Sequence, residues 1–298
     1  MAHVPVLLRE TIEWLNIRPD GTYIDCTLGA GGHARAIAER LTAGRLIAID
    51  RDPSAVAAAR ERLAGFGGRI SFFQASFAGL REVCEKVWGQ VGAMPIDGIV
   101  ADLGVSREQL ETPARGFSFL TDGPLDMRMD PNQELTAERI VNRYGEKPLA
   151  DLIYRFGEER RSRRITRAIV RARPLQGTRQ LAEVIERAAP RTRERIHPAT
   201  RTFQALRIAV NDELGQLETL LETAPPLLAP GGRFVLISFH SLEDRAVKQA
   251  LRRWAARKVL AILTKHVVRP GEEEARANPA SRSAKLRAAE RTAKELVN

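Results

Sequence analysis

A glycine-rich turn between an apolar run and an amphipathic stretch restricts the fold of this chain more than any other feature. Residues 22–37 read TYIDCTLGAGGHARAI. Gly29, Gly31 and Ala34 satisfy G-x-G-x-x-[GA], and Asp50 ends the next apolar run, where an acid commonly binds a ribose. A loop of this kind lets the backbone approach a nucleotide. The motif alone does not distinguish one class of nucleotide cofactor from another.

Apolar and amphipathic segments alternate through the first hundred residues. The pattern predicts strands at 22–26, 45–50, 69–74 and 96–102. It predicts helices at 6–15, 33–41, 53–64 and 77–90. Because strand and helix alternate, we expect an α/β fold with a mostly parallel sheet and crossover helices.

The alternation stops at residue 115, and residues 115–201 carry helical periodicity without a convincing strand. We therefore expect an inserted helical domain at 115–201 within an α/β domain formed by 1–114 and 202–298. The α/β pattern resumes with a helix at 203–224, a PPLLAPGG turn, a strand at 233–239 and a helix at 241–256. The segments 258–268 and 283–292 are expected to supply the last two strands, although the second also fits a helix.

The formal net charge of +10 is unevenly distributed over the 298 residues. Residues 155–207 hold 15 Lys and Arg against 5 Asp and Glu, and residues 245–298 hold 14 against 5. Two basic segments beside an acidic remainder indicate a polyanionic partner such as RNA. The alternative is that the arginine-rich helices are solvated faces.

The two cysteines and the hydropathy of the sequence indicate the cellular compartment. Cys26 and Cys84 match no metal-ligand spacing. The N-terminus carries acids inside its apolar pattern, and no run of about 18 apolar residues occurs. We expect a cytoplasmic protein with no membrane span and no metal site.

Three further features favour S-adenosylmethionine over a dinucleotide as the cofactor. Asp25 stands four residues before Gly29, where dinucleotide loops usually carry apolar residues. A second nucleotide fingerprint and a cluster suited to hydride transfer are both missing from the sequence. LLAPGGRFVLISF matches the turn before the fifth strand of many S-adenosylmethionine enzymes. The competing interpretations are that Asp25 caps its turn and that Asp50 caps the following helix.

Seven runs distributed over nearly the whole chain then identify a family. GGHARAI, AIDRDPSA, ADLGVSREQL, ARGFSF, DGPLDMRMD, HPATRTFQALRI and SFHSLEDR resemble the bacterial small-subunit ribosomal RNA methyltransferase H family, also called MraW. The resemblance implies a class I S-adenosylmethionine methyltransferase fold, which is Rossmann-like. It also implies methylation of the exocyclic N(4) of a cytidine in the decoding centre of 16S ribosomal RNA, within the small subunit or a late precursor.

The same resemblance implies which residues contact S-adenosylmethionine. They are Gly31, Gly32, His33, Asp50, Phe77, Asp102 and Gln109. From the residues alone, Phe77 could equally belong to the core. Asp102 ends the fourth predicted strand, at the edge where ligands of open α/β sheets bind.

Amine methylation requires a group that orients the amine and accepts its proton. Asp102 and His240 are our catalytic candidates, and His240 could instead bind the base or cap the next helix. Asp102 is followed by Leu-Gly-Val-Ser, without the prolines and aromatic residue common in amino methyltransferases. Phe239 could therefore supply the missing base-stacking ring, or it could be a core residue.

Arginines of the insert are the candidates for binding RNA. Arg160 and Arg164 lie in its most basic run, and Arg201 lies where the chain returns to the sheet. Arg201 could instead pair with an acid. Two other functions remain open at this point: a small-molecule methyltransferase, and an RNA-binding assembly factor that keeps the nucleotide loop only to fold.

Overall fold

The computed structural model describes residues 5–190 and 196–293. The chain divides into two units, Met1–Gly104 with Leu214–Asn298, and Val105–Glu213. The second unit extends beyond the predicted insert of 115–201 at both ends, because the short helix after Ser106 and the helix that begins at Thr200 both belong to it.

The first unit contains a seven-stranded sheet in the order β3-β2-β1-β4-β5-β7-β6. Its strands are β1 (Thr22–Asp25), β2 (Arg45–Asp50), β3 (Ile70–Gln74), β4 (Ile96–Asp102), β5 (Leu228–Ser238), β6 (Leu260–Ile262) and β7 (Lys285–Arg291). β1 to β5 pair in parallel, whereas β7 pairs antiparallel with β5 and β6. A dinucleotide fold continues with a parallel sixth strand. The antiparallel β7 beside β5 is the class I methyltransferase arrangement, which confirms the predicted fold.

Helices cover the sheet and build the second unit. Those of the first unit are α1 (Leu8–Leu15), α2 (Gly32–Ala38), α3 (Pro53–Arg62), α4 (Leu80–Val91), α11 (Glu213–Leu227, whose first residue closes the second unit), α12 (Ser241–Ala256) and α13 (Glu272–Ala277). Those of the second unit are α5 (Arg107–Glu111), α6 (Ala137–Arg143), α7 (Glu146–Gly157), α8 (Ser162–Ala172), α9 (Thr178–Ala188) and α10 (Thr200–Asn211). None of the helices in the described ranges has the length and apolar composition that a membrane crossing requires.

Alternate residues of the central strands enter two separate apolar layers. Ile24 and Ile99 belong to one buried cluster, while Tyr23 and Val100 belong to the other. Side chains alternate between the faces of a strand, so both faces of the sheet are covered. This burial explains why these strands are almost continuously apolar, and it leaves the polar residues for the strand ends.

The predicted helix at 203–224 is wrong, because α10 ends at Asn211 and α11 begins at Glu213. Asp212 between them adopts the left-handed conformation with φ of 45°. Asp tolerates that conformation better than most residues, so it can break the helix without a glycine.

The region around PPLLAPGG also differs from the predicted turn. α11 continues through Pro225 and Pro226 to Leu227, and β5 begins immediately afterwards. Ile96 pairs with Leu228 whereas Gly98 pairs with Arg233, so residues 229–232 bulge out of the strand register. The segment 283–292 forms β7, which settles its helix-or-strand alternative in favour of a strand.

The second unit has its own core and no strand among its described residues. The DGPLDMRMD segment is held against α10 by Asn211, which is 1% exposed. Asn211 Oδ1 accepts from the Met129 N–H at 2.8 Å, and its Nδ2 donates to the Met127 carbonyl at 2.7 Å. This segment is therefore an ordered part of the insert.

Candidate active site

Three aspartates lie at the carboxyl ends of neighbouring parallel strands. Asp25 ends β1, which lies between β2 and β4. Asp25 pairs in register with Ala48 of β2 and Val100 of β4. Asp50 and Asp102 each stand two residues beyond those partners, so the three acids end adjoining strands at one edge of the sheet, where open α/β sheets bind ligands.

Asp25 is almost completely buried, with 1% of its surface exposed. Its Oδ1 accepts from the Thr27 N–H at 3.0 Å, whereas its Oδ2 has no hydrogen-bond partner in the described part of the chain. The pKa of Asp25 is raised to about 7, chiefly by burial and also by the charge of Asp50, against the lowering effect of the backbone amide hydrogen bonds. Asp25 therefore caps its turn with one oxygen, while the other is buried without a hydrogen-bond partner among the described residues.

Asp50 connects the glycine loop to the end of β2. Its Oδ2 accepts from the Gly29 N–H at 2.7 Å, and its Oδ1 accepts from the Asp52 N–H at 2.9 Å. Gly29 and Gly31 have φ of 48° and 82°, which side chains rarely tolerate. Burial raises the pKa of Asp50, and these two amides oppose the shift. The residue that caps α3 is Asp52 and not Asp50. Asp52 Oδ1 accepts from the Ser54 N–H at the start of α3.

The N-terminal segment packs directly on the glycine loop. A Cβ on Gly32 would lie 2.1 Å from Cγ of Pro5. The buried His33 donates from Nε2 to the Val6 carbonyl at 3.1 Å, and the Leu7 N–H donates to Glu274 Oε1 at 2.9 Å. The small size of Gly32 is thus required by the chain's own packing, independently of any cofactor contact.

Asp102 lies near the glycine loop and near several other acids. Its N–H donates to Thr27 Oγ1 at 2.6 Å, and its Oδ2 lies 3.8 Å from Nδ1 of His33. Its Oδ1 is buried without a hydrogen-bond partner among the described residues. Burial raises the pKa of Asp102 well above its usual range, and the charges of Asp25, Glu243 and Glu274 add to the effect.

The turn after β5 carries the other two candidates of the first unit. Phe239 packs half-buried against the core, and a Cβ on Gly104 after β4 would lie 3.7 Å from its ring. His240 is the N-cap of α12, where its Nδ1 accepts from the Glu243 N–H at 3.3 Å. Phe239 therefore contacts the core and His240 caps a helix, as their alternative interpretations predicted.

Phe77 and Gln109 lie on different units. Phe77 follows β3 in a short 3-10 turn and packs, partly buried, against the core of the first unit. Gln109 is buried in α5 of the second unit, where its Oε1 accepts from the Ser106 N–H at 3.0 Å. Gln109 thus completes a capping box.

Arginines of the insert fall into two groups. Arg201 lies 3.8 Å from the buried Glu159, which also pairs with Arg161. By contrast, α8 carries no acidic residue. Five exposed arginines lie on α8 or just before its first residue, and we call them the arginine face: Arg160, Arg163, Arg164, Arg167 and Arg171. In the described ranges, none of the arginine face takes part in an ion pair.

Contacts distant in sequence contribute residues that sequence reasoning missed. Thr27 joins the ends of β1 and β4, and Glu274 joins α13 to the N-terminal segment. Pro5 is required to explain Gly32. Only Glu243 had a local signal, the H-x-x-E spacing of a capping box that uses His in place of Ser or Thr.

The strand-end acids fit the charge of S-adenosylmethionine. Its sulfonium and ammonium groups are cationic, and the unpartnered oxygens Asp25 Oδ2 and Asp102 Oδ1 are buried acceptors in need of such a partner. Asp50 and the left-handed glycines shape the loop that would face the nucleoside. The residues present therefore fit this cofactor.

Comparisons with known proteins agree with this assignment. A family model described as the MraW methylase family matches residues 1–292. Relatives named ribosomal RNA small subunit methyltransferase H are 56% identical in Solibacter usitatus and 55% identical in Acidobacterium capsulatum. The two alignments each cover 97% of this chain, and 99% and 98% of the respective relative. A third, from a Cyanothece species, is 51% identical over 97% of this chain and 94% of its own.

The raised pKa of Asp25 predicts a pH-dependent stability. The folded state keeps the Asp25 proton up to about pH 7, whereas the unfolded chain loses it near 3.8. Because the folded state binds more protons in that window, its unfolding free energy should decrease from about pH 4 to about pH 7, by on the order of a few kcal/mol. Urea denaturation of the cofactor-free protein at a series of pH values measures this.

Asp25→Asn should flatten that part of the profile, since the amide cannot ionise. Asp20→Asn serves as the control, because Asp20 is exposed. A wild-type profile that rises through this window, or a difference profile for Asp25→Asn that is flat, would contradict the assignment.

Proposed function

Since the chain belongs to the MraW methylase family, we propose that it transfers a methyl group from S-adenosylmethionine to the exocyclic N(4) of a cytidine in 16S ribosomal RNA. Use of S-adenosylmethionine follows from membership of this methyltransferase family. The proposal further places the target in the decoding centre of the small subunit or a late precursor, and the protein in the cytoplasm. The observation that carries it is the pair of unpartnered carboxylate oxygens, on Asp25 and Asp102, beside the glycine loop.

Cofactor binding is assigned to the strand-end residues and the glycine loop of the first unit. When bound, S-adenosylmethionine supplies an electrophilic methyl group on a positively charged sulfur. Asp25 and Asp102 would hold its positive charge, Asp50 the ribose hydroxyls, and Phe77 the adenine. Gly31, Gly32 and His33 would form the loop around it.

Asp102 is the proposed acceptor of the proton that the amine loses. Its free Oδ1 lies at the strand end beside β5, and carboxylates are common proton acceptors in such reactions. Burial raises the pKa of Asp102, so its carboxylate holds a proton more strongly than an exposed carboxylate does. Asp102 would therefore orient the amine and remove its proton.

The chain's thiols support nitrogen as the acceptor atom. Methylation of ring carbon 5 needs a cysteine thiolate that adds to the base. Burial raises the pKa of Cys26 well above its usual range and that of Cys84 to about 11. Both side chains are buried thiols at neutral pH, so neither supplies that nucleophile.

RNA binding is assigned to the arginine face of the insert. Its five arginines are exposed, and α8 has no acid to neutralise them. Such clusters bind phosphates by releasing counterions. Arg201 is also a proposed RNA-binding residue, but it differs from the arginine face because its guanidinium lies near the carboxylate of Glu159.

The proposed product is tested by mass spectrometry of ribosomal RNA nucleosides. We expect N(4)-methylcytidine after small subunits are incubated with the protein and S-adenosylmethionine, and none when either is omitted. The double variant Cys26→Ala with Cys84→Ala should still form it, because both thiols are uninvolved. A 5-methylcytidine product, or a folded double variant that binds cofactor and transfers nothing, would contradict the proposal.

Asp50→Asn should weaken S-adenosylmethionine binding by about 10- to 100-fold, since charge-assisted hydrogen bonds contribute roughly 1.5–3 kcal/mol. Isothermal titration calorimetry measures the affinity. Asp52→Asn is the matched control, because it removes a charge two residues away while Asn still caps α3. An equal loss in both variants would show a general charge effect and remove Asp50 from the ribose site.

Arg160→Gln, Arg164→Gln and Arg167→Gln combined should weaken RNA binding and reduce the slope of log affinity against log salt. The expected change is up to roughly 0.7 per lost phosphate contact on single-stranded RNA. Cofactor affinity should stay the same. Fluorescence anisotropy with a labelled ribosomal RNA fragment at several salt concentrations measures the slope.

The matched control changes three arginines of the same unit that already have acidic partners: Arg107, Arg139 and Arg187. Both triple variants lose the same formal charge. If they alter the salt slope equally, the arginine face has no specific role in binding RNA.

A further inference from the structure

Glu243 and His240 hold the turn after β5 through reciprocal hydrogen bonds. Glu243 is 2% exposed, and its Oε2 accepts from the Phe239 N–H at 2.9 Å and the His240 N–H at 3.4 Å. In return, the Glu243 N–H donates to Nδ1 of His240 at 3.3 Å. Both the backbone of the turn and the plane of the imidazole ring are thereby restricted.

These contacts determine the tautomer of His240. Nδ1 uses its lone pair to accept from a backbone amide, so the proton of the neutral imidazole is on Nε2. Oε1 of Glu243 lies 3.2 Å from Nε2, and a carboxylate at that distance favours a proton on this nitrogen. His240 therefore presents a donor at Nε2, which cannot serve as a proton acceptor in this tautomer.

The donor lies close to the end of β4. Asp102 pairs in register with Ile237, three residues before His240, and the Leu103 N–H donates to the Ile237 carbonyl at 2.9 Å. Nε2 of His240 is buried and makes no hydrogen bond within the described ranges, although Glu243 Oε1 lies 3.2 Å from it, and Oδ1 of Asp102 is likewise buried without a hydrogen bond. Adjoining strand ends thus carry one donor and one acceptor whose hydrogen bonds are not made within the described residues, and both atoms are shielded from water.

The hydrogen-bonding edge of cytosine has the complementary order. Its N(4) amine donates, and the neighbouring N(3) accepts. Uracil has the reverse order, with a carbonyl oxygen at position 4 and an N–H at position 3. A protein acceptor beside a protein donor therefore pairs with cytosine and opposes uracil.

We infer that His240 Nε2–H donates to N(3) of the target base while Asp102 accepts from its amine, so that His240 is a specificity-determining residue for cytosine. The inference rests on the proposed function. Glu243 is a positioning residue, because it acts through the tautomer and orientation of His240. A buried donor left facing the N–H of uracil would lose its hydrogen bond without compensation from water, which is how a polar site rejects the wrong substrate.

The test pairs a residue change with a single-atom change in the substrate. Small subunits are reconstituted with cytidine or 3-deazacytidine at the methylated position, the analogue having C–H in place of N(3) and keeping the amine. Single-turnover methyl transfer is followed with labelled S-adenosylmethionine. The wild-type protein should methylate the 3-deazacytidine particle about 10-fold more slowly, the effect of one hydrogen bond in a shielded site.

His240→Asn is the informative variant. Asn is among the best N-cap residues, so α12 keeps its cap while the ring nitrogen is lost. This variant should be about 10-fold slower than wild type on cytidine and should discriminate less than about twofold between the two particles. Comparing both proteins on both substrates cancels the different intrinsic reactivity of the analogue.

If wild type and His240→Asn show the same ratio of rates on the two particles, the inference is overturned. A failure of the proposed function has another signature, since the wild-type protein would then form no N(4)-methylcytidine on the unmodified particle. Calorimetry with S-adenosylmethionine should give the same affinity for wild type and His240→Asn. A variant that lost cofactor binding would refute a role confined to base recognition.

Discussion

The burial of carboxyl groups at three adjoining strand ends is the constraint on which the site depends. Asp25, Asp50 and Asp102 all have pKa values raised by burial, and the amides of Thr27, Gly29 and Asp52 offset only part of that effect. Removing a carboxylate from water without a full set of partners is costly. The parallel sheet imposes this arrangement, since strands that run the same way end at the same edge. A cationic ligand relieves the cost, and this links the stability of the fold to occupation of the site.

The glycine loop serves two separate demands. Gly29 and Gly31 adopt left-handed conformations and turn the backbone toward the strand ends, where Asp50 accepts from the Gly29 N–H. Gly32 instead provides room for Pro5, and the neighbouring His33 binds the Val6 carbonyl. The glycines of this one short motif are therefore required for different physical reasons. A loop motif can be recognised correctly while part of it supports the packing of a distant segment.

The sequence was sufficient where the signal was local. Apolar runs predicted β2 and β4 correctly, and the strand-end positions of Asp50 and Asp102 followed from those two runs. The break at Asp212 could not be predicted, because its left-handed conformation leaves no mark on helical periodicity. The Leu7–Glu274 hydrogen bond joins opposite ends of the chain, and no local pattern encodes it.

Asp102 and His240 illustrate how the surroundings of a side chain decide its chemistry. Both were candidates for accepting a proton, and both lie beyond the ends of paired strands. The helix cap occupies the lone pair on Nδ1 of His240, so the residue presents only a donor at its other nitrogen. Asp102 has a free oxygen, and its raised pKa means that its carboxylate binds a proton more strongly than an exposed one. In the proposed reaction Asp102 is therefore the base, and its basicity comes from the same burial that makes the site favour a cation.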